Sequence, residues 1–305
     1  MDALITYEAN LQWVKWVEIS SEIMQRIVDD INSFHPMVPI QTTSSEFVFS
    51  VQGEKGQSNI NVKLSVDQNT FGEEPIESYG NILDETIKSR LKDILFTMNL
   101  AYPGIIFIHK SILCRNGIPV NVFSFSNGIS GMAYEKCRWI PFESLTIQQC
   151  WDWIVEKTNF LSYVSRTSID RALHAMSYES SANDDMFIFY ILLGIEAIYN
   201  DGRSNHEESI SSQLKRKIQA VIGKLSSSTI KEINAMYGSR SALVHGSANI
   251  FKCWSSEDYT EEEYEKVSKE REYMAPAMGI LLATIQKFIK QNANKLVEEI
   301  TVRLE

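Results

Sequence analysis

Three residues with side chains suited to proton transfer and anion binding lie close together near position 240 of this 305-residue chain. Arg240, Ser241 and His245 fall within a segment, 229–245, whose apolar spacing predicts a helix. At about 100° per residue, Arg240 and His245 lie about 140° apart on that helix, with Ser241 between them. The stripe predicted to face the core consists of Ile230, Ile233, Tyr237 and Val244. The spacing therefore predicts a cation, a hydroxyl and a titratable imidazole on a helix face that also packs.

Gly246 directly follows His245 and predicts the end of the helix. Glycine is the residue that most readily takes the left-handed conformation just after a last turn. The imidazole of His245 is then on the last turn, where the negative end of the helix favours its protonated form. This interaction would account for His245 without any catalytic role, and that structural alternative stays open.

A second helix, predicted over 184–199, carries one charge in an otherwise apolar stretch. After its first turn the segment is apolar on all sides, which predicts the central helix of the C-terminal half. Glu196 is the exception, and a carboxylate buried without a partner is unfavourable. Arg240 is the candidate partner. A structural ion pair between Arg240 and Glu196 is the alternative to a shared role in catalysis.

The segment from Tyr237 to Gly246, YGSRSALVHG, resembles the R-x4-6-H signature of HEPN domains. It is most similar to the Apea-like branch, whose motif ends R-S-x-x-x-H-G. The upstream segment 184–198 resembles the acidic-then-apolar helix of the same family. The family's second motif position is usually Asn, His or Asp, so Ser241 is a departure that the chain shares with the Apea-like branch. The resemblance extends over the C-terminal half of the chain.

This resemblance implies an endoribonuclease that needs neither a metal nor another cofactor and that acts as a homodimer through its helical domain. Arg240 and His245 of both subunits would face one cleft and be the catalytic residues, with Ser241 and Glu196 in support. RNA is cut when a 2′-hydroxyl attacks the adjacent phosphate; an imidazole can move the proton, and a guanidinium can stabilise the added negative charge. Members of the family commonly act as toxins or in antiviral defence, which is the role expected here.

Two other functions are compatible with the same residues. One is a catalytically inactive HEPN-like dimer that binds RNA, a nucleotide or a protein. The other is the HEPN half of a nucleotidyltransferase pair, in which a tyrosine lies two residues beyond the motif histidine. This chain has Ser247 at that position, which argues against the second alternative.

The charge of the chain limits where it could bind RNA. Its 29 Lys and Arg against 39 Asp and Glu give a net charge of -10, which excludes a surface that is basic throughout. Any nucleic-acid site must be local. Lys215, Arg216 and Lys217 form a basic helix face predicted to contact phosphates, with an ordinary solvated face as the alternative.

The elements that would position these residues fall into two predicted domains. Residues 1–142 are predicted to form an α+β domain, and residues 143–305 an all-α HEPN-like helical bundle. The predicted elements of the first domain are a helix over 11–31, a hairpin over 47–64, a helix over 82–101 and a hairpin over 105–125. In the second they are helices begun by residues 144–146 and over 168–178, 184–199, 211–225, 229–245 and 260–292, the last interrupted at Pro276. The N-terminal domain is expected to recognise a protein or nucleic-acid trigger.

Composition and cysteine usage favour a cytoplasmic location. A hydrophobic content of 44% with 22% charged residues is typical of a globular chain with a substantial core. Its four cysteines are too few and too widely spaced for a disulfide scaffold or a zinc knuckle, which favours reduced thiols. We expect neither a signal peptide nor a membrane-spanning segment, and hence no membrane partner.

Overall fold

The computed structural model describes residues 4–14, 17–40, 43–54, 57–67, 76–180, 184–199, 210–246, 260–262, 265 and 274–297. For some of these, including Arg240 and Val244, the side chain lies outside the description. The chain divides into two compact units. Unit 1 comprises Met1–Arg138, Ser144–Asp152 and Glu179–Ser181; unit 2 comprises Trp139–Glu143, Trp153–Tyr178 and Ala182–Glu305.

Unit 1 is built on a six-stranded antiparallel sheet. Its strands are β1 (Leu4–Val14), β2 (Met37–Ile40), β3 (Thr43–Glu54), β4 (Gln57–Asp67), β5 (Phe107–Arg115) and β6 (Ile118–Phe125). The strand order is β2-β3-β4-β1-β5-β6. Side chains alternate between a buried and an exposed face, most regularly in β1. The buried residues of β1 are Ile5, Tyr7, Ala9, Leu11 and Trp13.

Both predicted hairpins are confirmed. In the first, β3 pairs with β4 so that Phe47 lies opposite Leu64. In the second, β5 and β6 are joined by Asn116 and Gly117, with φ of 50° and 78°. Positive φ at both central residues is the geometry that makes Asn-Gly a strong hairpin signal.

The predicted helix over 11–31 is wrong at its N-terminal end. Residues 11–14 belong to β1, and the helix is α1 (Ser21–Ser33), which begins after the Ser20 cap. Leu11 and Trp13 are two apart and both buried, which is strand periodicity. Strand pairing decides the outcome, because β1 bonds to β4 on one side and to β5 on the other.

The remaining helices of unit 1 are α2 (Ile76–Ala101), α3 (Gly128–Lys136) and the start of α4 (Ile147–Lys157). The helix predicted over 82–101 lies within α2, whereas α3 was not predicted. Asp84 of α2 binds the sheet, because it accepts a 2.8 Å hydrogen bond from the Tyr7 hydroxyl and a 3.3 Å contact from the Arg115 guanidinium. The predicted start of α4 is confirmed, since Thr146 Oγ1 accepts from the Gln149 backbone N–H at 3.1 Å.

Unit 2 is mostly helical. Its further helices are α5 (Ser168–Ser177), α6 (Asp184–Tyr199), α7 (Ile210–Ile222), α8 (Ser227–Val244) and α9 (Met274–Lys290). As predicted, α6 is central, because it packs against α5, α7, α8 and α9. A Cβ at Gly194 would lie 2.9 Å from Leu281 Cδ2 and 3.3 Å from Ala175 Cβ, so this glycine allows the close approach of three helices.

The long helix predicted over 260–292 is described in part. Residues 266–273 lie outside the described residues, and α9 begins at Met274. Pro276 is in the first turn of α9, where its missing N–H would have no partner within the helix. Because the residues before α9 lie outside the description, the predicted interruption of the helix at Pro276 stays a prediction.

At the level of fold class, the prediction of an α+β N-terminal part followed by a mostly helical region is confirmed. The finer assignment of a HEPN-like bundle stays a prediction. Across the described helices, none combines the length and the apolar character needed to cross a bilayer.

Candidate functional site

The predicted catalytic segment forms the last turns of α8. Ser241 and His245 are one turn apart and both side chains are exposed, and the His245 backbone N–H donates to the Ser241 carbonyl at 3.0 Å. Gly246 has a φ of 68°, which confirms the predicted left-handed residue after the helix. The C-terminal end of α8 therefore presents an imidazole and a hydroxyl to solvent on one side of the helix.

Arg240 occupies a helical backbone position in α8, one residue before Ser241. Its side chain lies outside the described residues, as does that of Val244. The predicted pairing of Arg240 with Glu196 therefore stays a prediction. Ser247, which bears on the nucleotidyltransferase alternative, also lies outside the described residues.

Glu196 has a partner that the sequence did not indicate. The Tyr237 hydroxyl of α8 donates to Glu196 Oε1 of α6 at 3.2 Å. Glu196 is partly exposed, so the prediction of a buried carboxylate is corrected. The reason is that α6 is not enclosed on all sides: Leu193, one turn earlier, keeps 40% of its surface exposed. This bond joins the two helices that carry the candidate residues.

The three basic residues predicted to contact phosphates have different surroundings. Lys217 Nζ donates to the backbone carbonyl of Tyr199 at 2.9 Å, at the end of α6. This contact satisfies a carbonyl that the helix leaves unpaired, which gives Lys217 a structural role. Lys215 Nζ instead donates to Asn234 Oδ1 of α8 at 3.1 Å, and Arg216 is exposed.

The exposed side chains of α8 form a continuous line that we call the α8 stripe. Its members are Lys231, Asn234, Gly238, Ser241 and His245. Successive spacings of three and four residues place all of them on one side of a helix. Lys231 and Asn234 were not among the residues predicted from the sequence, although the same spacing extends back to them. The hydrogen bond from Lys215 brings a further cation to the stripe.

The stripe contains the groups needed to hold an anion and move a proton. Positions 231 and 245, the two ends of the stripe, are about 21 Å apart along the axis at the rise of an α-helix. Within the described ranges, no three side chains of His, Cys, Asp or Glu come together as a metal site requires.

Comparison of the chain with protein-family models, with curated proteins and with solved structures gives no match.

Proposed function

We propose that the protein is a metal-independent endoribonuclease of HEPN type, with Arg240 and His245 as its catalytic residues. The observation that carries the proposal is the exposed end of α8, where Ser241 and His245 are one turn apart and Gly246 ends the helix. A histidine held at a fixed backbone position and open to solvent can reach a bound substrate. The motif resemblance supplies the identity of that substrate as RNA.

The proposed reaction transfers a phosphodiester within the RNA strand. The 2′-oxygen forms a bond to the adjacent phosphorus, the bond from phosphorus to the 5′-oxygen breaks, and the products end in a 2′,3′-cyclic phosphate and a 5′-hydroxyl. The imidazole of His245 accepts the proton of the 2′-hydroxyl, and the leaving 5′-oxygen takes up a proton. Arg240 stabilises the negative charge that gathers on the phosphate in the transition state.

Ser241 and Glu196 are proposed as supporting residues. Glu196 already binds Tyr237 across the contact between α6 and α8, and so fixes the approach of the helix that carries the motif. Ser241 offers a hydroxyl to the substrate one turn before His245. We expect Ser241 and Glu196 to act by positioning other groups. Neither of them supplies the positive charge that stabilises the phosphate or the base that accepts the 2′-hydroxyl proton.

The wider biological role is proposed by resemblance alone. A homodimer through the helical region would place two copies of the motif at one cleft, and the two His245 imidazoles would then supply the base and the acid. Unit 1 would recognise the protein or nucleic-acid trigger. The role would be that of a toxin or an antiviral defence enzyme in the cytoplasm, where cleavage of RNA stops growth.

The proposal is tested by RNA cleavage in EDTA with the wild type, His245→Ala and Arg240→Ala. Removing a general base or the main charge-stabilising group should lower the cleavage rate by at least about 100-fold. His109→Ala and Arg171→Ala are matched controls, because both residues are exposed and lie outside α8, and they should cleave as the wild type does. Circular dichroism should show that all variants are folded.

Two outcomes would contradict the proposal. One is cleavage that EDTA abolishes, which would indicate a metal-dependent nuclease. The other is that the wild type cleaves RNA and that His245→Ala and Arg240→Ala cleave it at the same rate. If neither the wild type nor any variant cleaves RNA, a catalytically inactive binding protein is favoured.

The alternative is a catalytically inactive HEPN-like dimer that binds RNA, a nucleotide or a protein. The basic residues around α7 and α8 favour it, because they can hold a phosphate without any reaction. In that case His245→Ala and Arg240→Ala would change affinity or stability and no turnover would be lost.

A further inference from the structure

The helices α7 and α8 carry a strong local excess of positive charge. Residues 210–246 contain six Lys or Arg and a single acidic residue, Glu232, which gives a net charge of +5 in a chain of net charge -10. In a strongly acidic protein, such a concentration of one sign is a local field that favours a polyanion. The charge alone does not say where on these helices the polyanion lies.

The α8 stripe gives that location. Lys231, Asn234 and His245 are exposed on one side of the helix, and Lys215 reaches the stripe through its 3.1 Å bond to Asn234. Since α7 has no acidic residue, and Glu232 on α8 is outside the 3-4 spacing of the stripe, the stripe itself carries no negative side chain. The stripe runs from the ammonium groups of Lys215 and Lys231 to the imidazole of His245.

Gly238 in the middle of the stripe is a separate indication of a close partner. An exposed glycine within a helix destabilises it by about 1 kcal/mol relative to alanine. A Cβ at Gly238 would meet no described atom within 4 Å, so packing against the described residues does not account for this glycine. A glycine on an exposed surface permits the backbone of a ligand to approach the helix closely.

We infer that the α8 stripe is the track of the RNA strand, with Lys215 and Lys231 binding phosphates and the strand crossing Gly238 to reach His245. The identity of the ligand as RNA rests on the proposed function, whereas the need for an anion rests on the charge. Of the basic residues on α7, Lys215 contacts the strand and Lys217 holds the end of α6.

A second copy of the chain is a poorer occupant of the stripe than an anionic strand. In a two-fold contact the same surface meets itself, so two positive stripes would be placed against each other. Like charges across an interface are unfavourable unless an anion lies between them. A strand of phosphates meets that condition.

The test measures binding of a fluorescein-labelled 2′-O-methyl RNA, which has no free 2′-hydroxyl and is not cut. Fluorescence anisotropy over a salt series gives Kd and its salt dependence for the full chain. The double variant Lys215→Gln/Lys231→Gln should bind about tenfold more weakly near 0.15 M salt and reduce the salt slope by about 1.4, because each phosphate contact on a single strand contributes about 0.7. Arg171→Gln, on α5, is the control for loss of a surface cation and should bind as the wild type does.

A second variant tests the path at Gly238. Leucine has a higher helix propensity than glycine, so Gly238→Leu should keep or raise the unfolding temperature while it blocks the strand and weakens binding at least about tenfold. Unchanged binding by both the lysine variant and Gly238→Leu would overturn the inference, and so would a wild type that does not bind the RNA. Binding that depends on the stripe, in a protein that cuts no RNA, would reject the nuclease and keep the track. If the protein cuts RNA and the stripe variants bind the labelled RNA normally, the nuclease proposal is kept and the RNA track is rejected.

Discussion

Glu179 and Glu196 both accept hydrogen bonds from another helix, and their partners differ. Glu196 accepts a hydroxyl hydrogen bond from Tyr237 at 3.2 Å. Glu179 lies at the first turn of α3, where Ser130 donates to it from its backbone N–H at 2.7 Å and from its hydroxyl at 2.5 Å. Burial raises the pKa of Glu179 to about 7, against the effect of these hydrogen bonds. The stability of unit 1 should therefore depend on pH through this residue.

We expect Glu179 to lower the stability of the folded protein as pH rises from about 4.5 to about 7. In this range the carboxyl is ionised in the unfolded chain but still protonated in the folded one. The stabilisation that Glu179 contributes is therefore fully present below the pKa of the unfolded chain, and it is lost as the pH rises to the pKa of the folded protein. The free energy of unfolding should fall by up to about 3 kcal/mol relative to Glu179→Gln over this interval. Urea denaturation at several pH values measures the difference. Parallel pH profiles for the wild type and Glu179→Gln would contradict the expectation.

At the residue scale, the sequence predicted positions better than partners. His245 and Gly246 could be assigned to a helix end because glycine at that position has a local cause, and the φ of Gly246 agrees. The bond from Tyr237 to Glu196 could not be predicted, because it depends on how α8 packs against α6. The same applies to Lys217, whose partner is a backbone carbonyl in another helix.

Among the elements, short segments with little periodicity were missed and long periodic ones were found. The bounds of α6 agree with the prediction, since this 16-residue segment starts with two aspartates and is otherwise almost entirely apolar. The strand β2 has four residues, and α3 contains two glycines and no clear apolar face, so neither gives a local signal. The sequence alone assigns the end of β1, residues 11–14, to a helix, because the pairing of β1 with two distant strands is not visible in a local window.

The packing of α3 depends on one glycine in the turn after α2. Gly104 has a φ of 72°, and a Cβ there would lie 2.0 Å from Gly131 Cα of α3. Gly117, in the turn between β5 and β6, has a similar φ of 78° and open space around it. The pair therefore separates the cost of a left-handed conformation from the cost of a clash between elements.

We expect Gly104→Ala to destabilise the protein by more than about 3 kcal/mol, because a backbone clash is added to the cost of the left-handed conformation. Gly117→Ala carries the conformational cost alone and should lose about 1–2 kcal/mol. Urea denaturation of both variants, with circular dichroism as the probe, gives the comparison. Equal losses would show that α3 does not constrain Gly104.

At the scale of the whole molecule, we propose that the site is shared by two copies of the chain. A homodimer would bring the Arg240 and His245 residues of both subunits to one cleft, and two positive stripes would then flank the RNA. We expect sedimentation to show a dimer at micromolar concentration, with an association that strengthens when a 2′-O-methyl RNA is bound. A strictly monomeric protein in both conditions would count against a composite site.

The measurement that tests the central claim most directly is the chemistry of the RNA ends after cleavage in EDTA. Mass spectrometry of the fragments should show 2′,3′-cyclic phosphates and 5′-hydroxyls with the wild type and no fragments with His245→Ala. A substrate with a 2′-O-methyl group at the cleaved nucleotide should remain intact, because its 2′-oxygen carries no proton for His245 to accept. Fragments with 5′-phosphates, or cleavage of the 2′-O-methyl substrate, would show that water attacks the phosphate and would contradict the proposed mechanism.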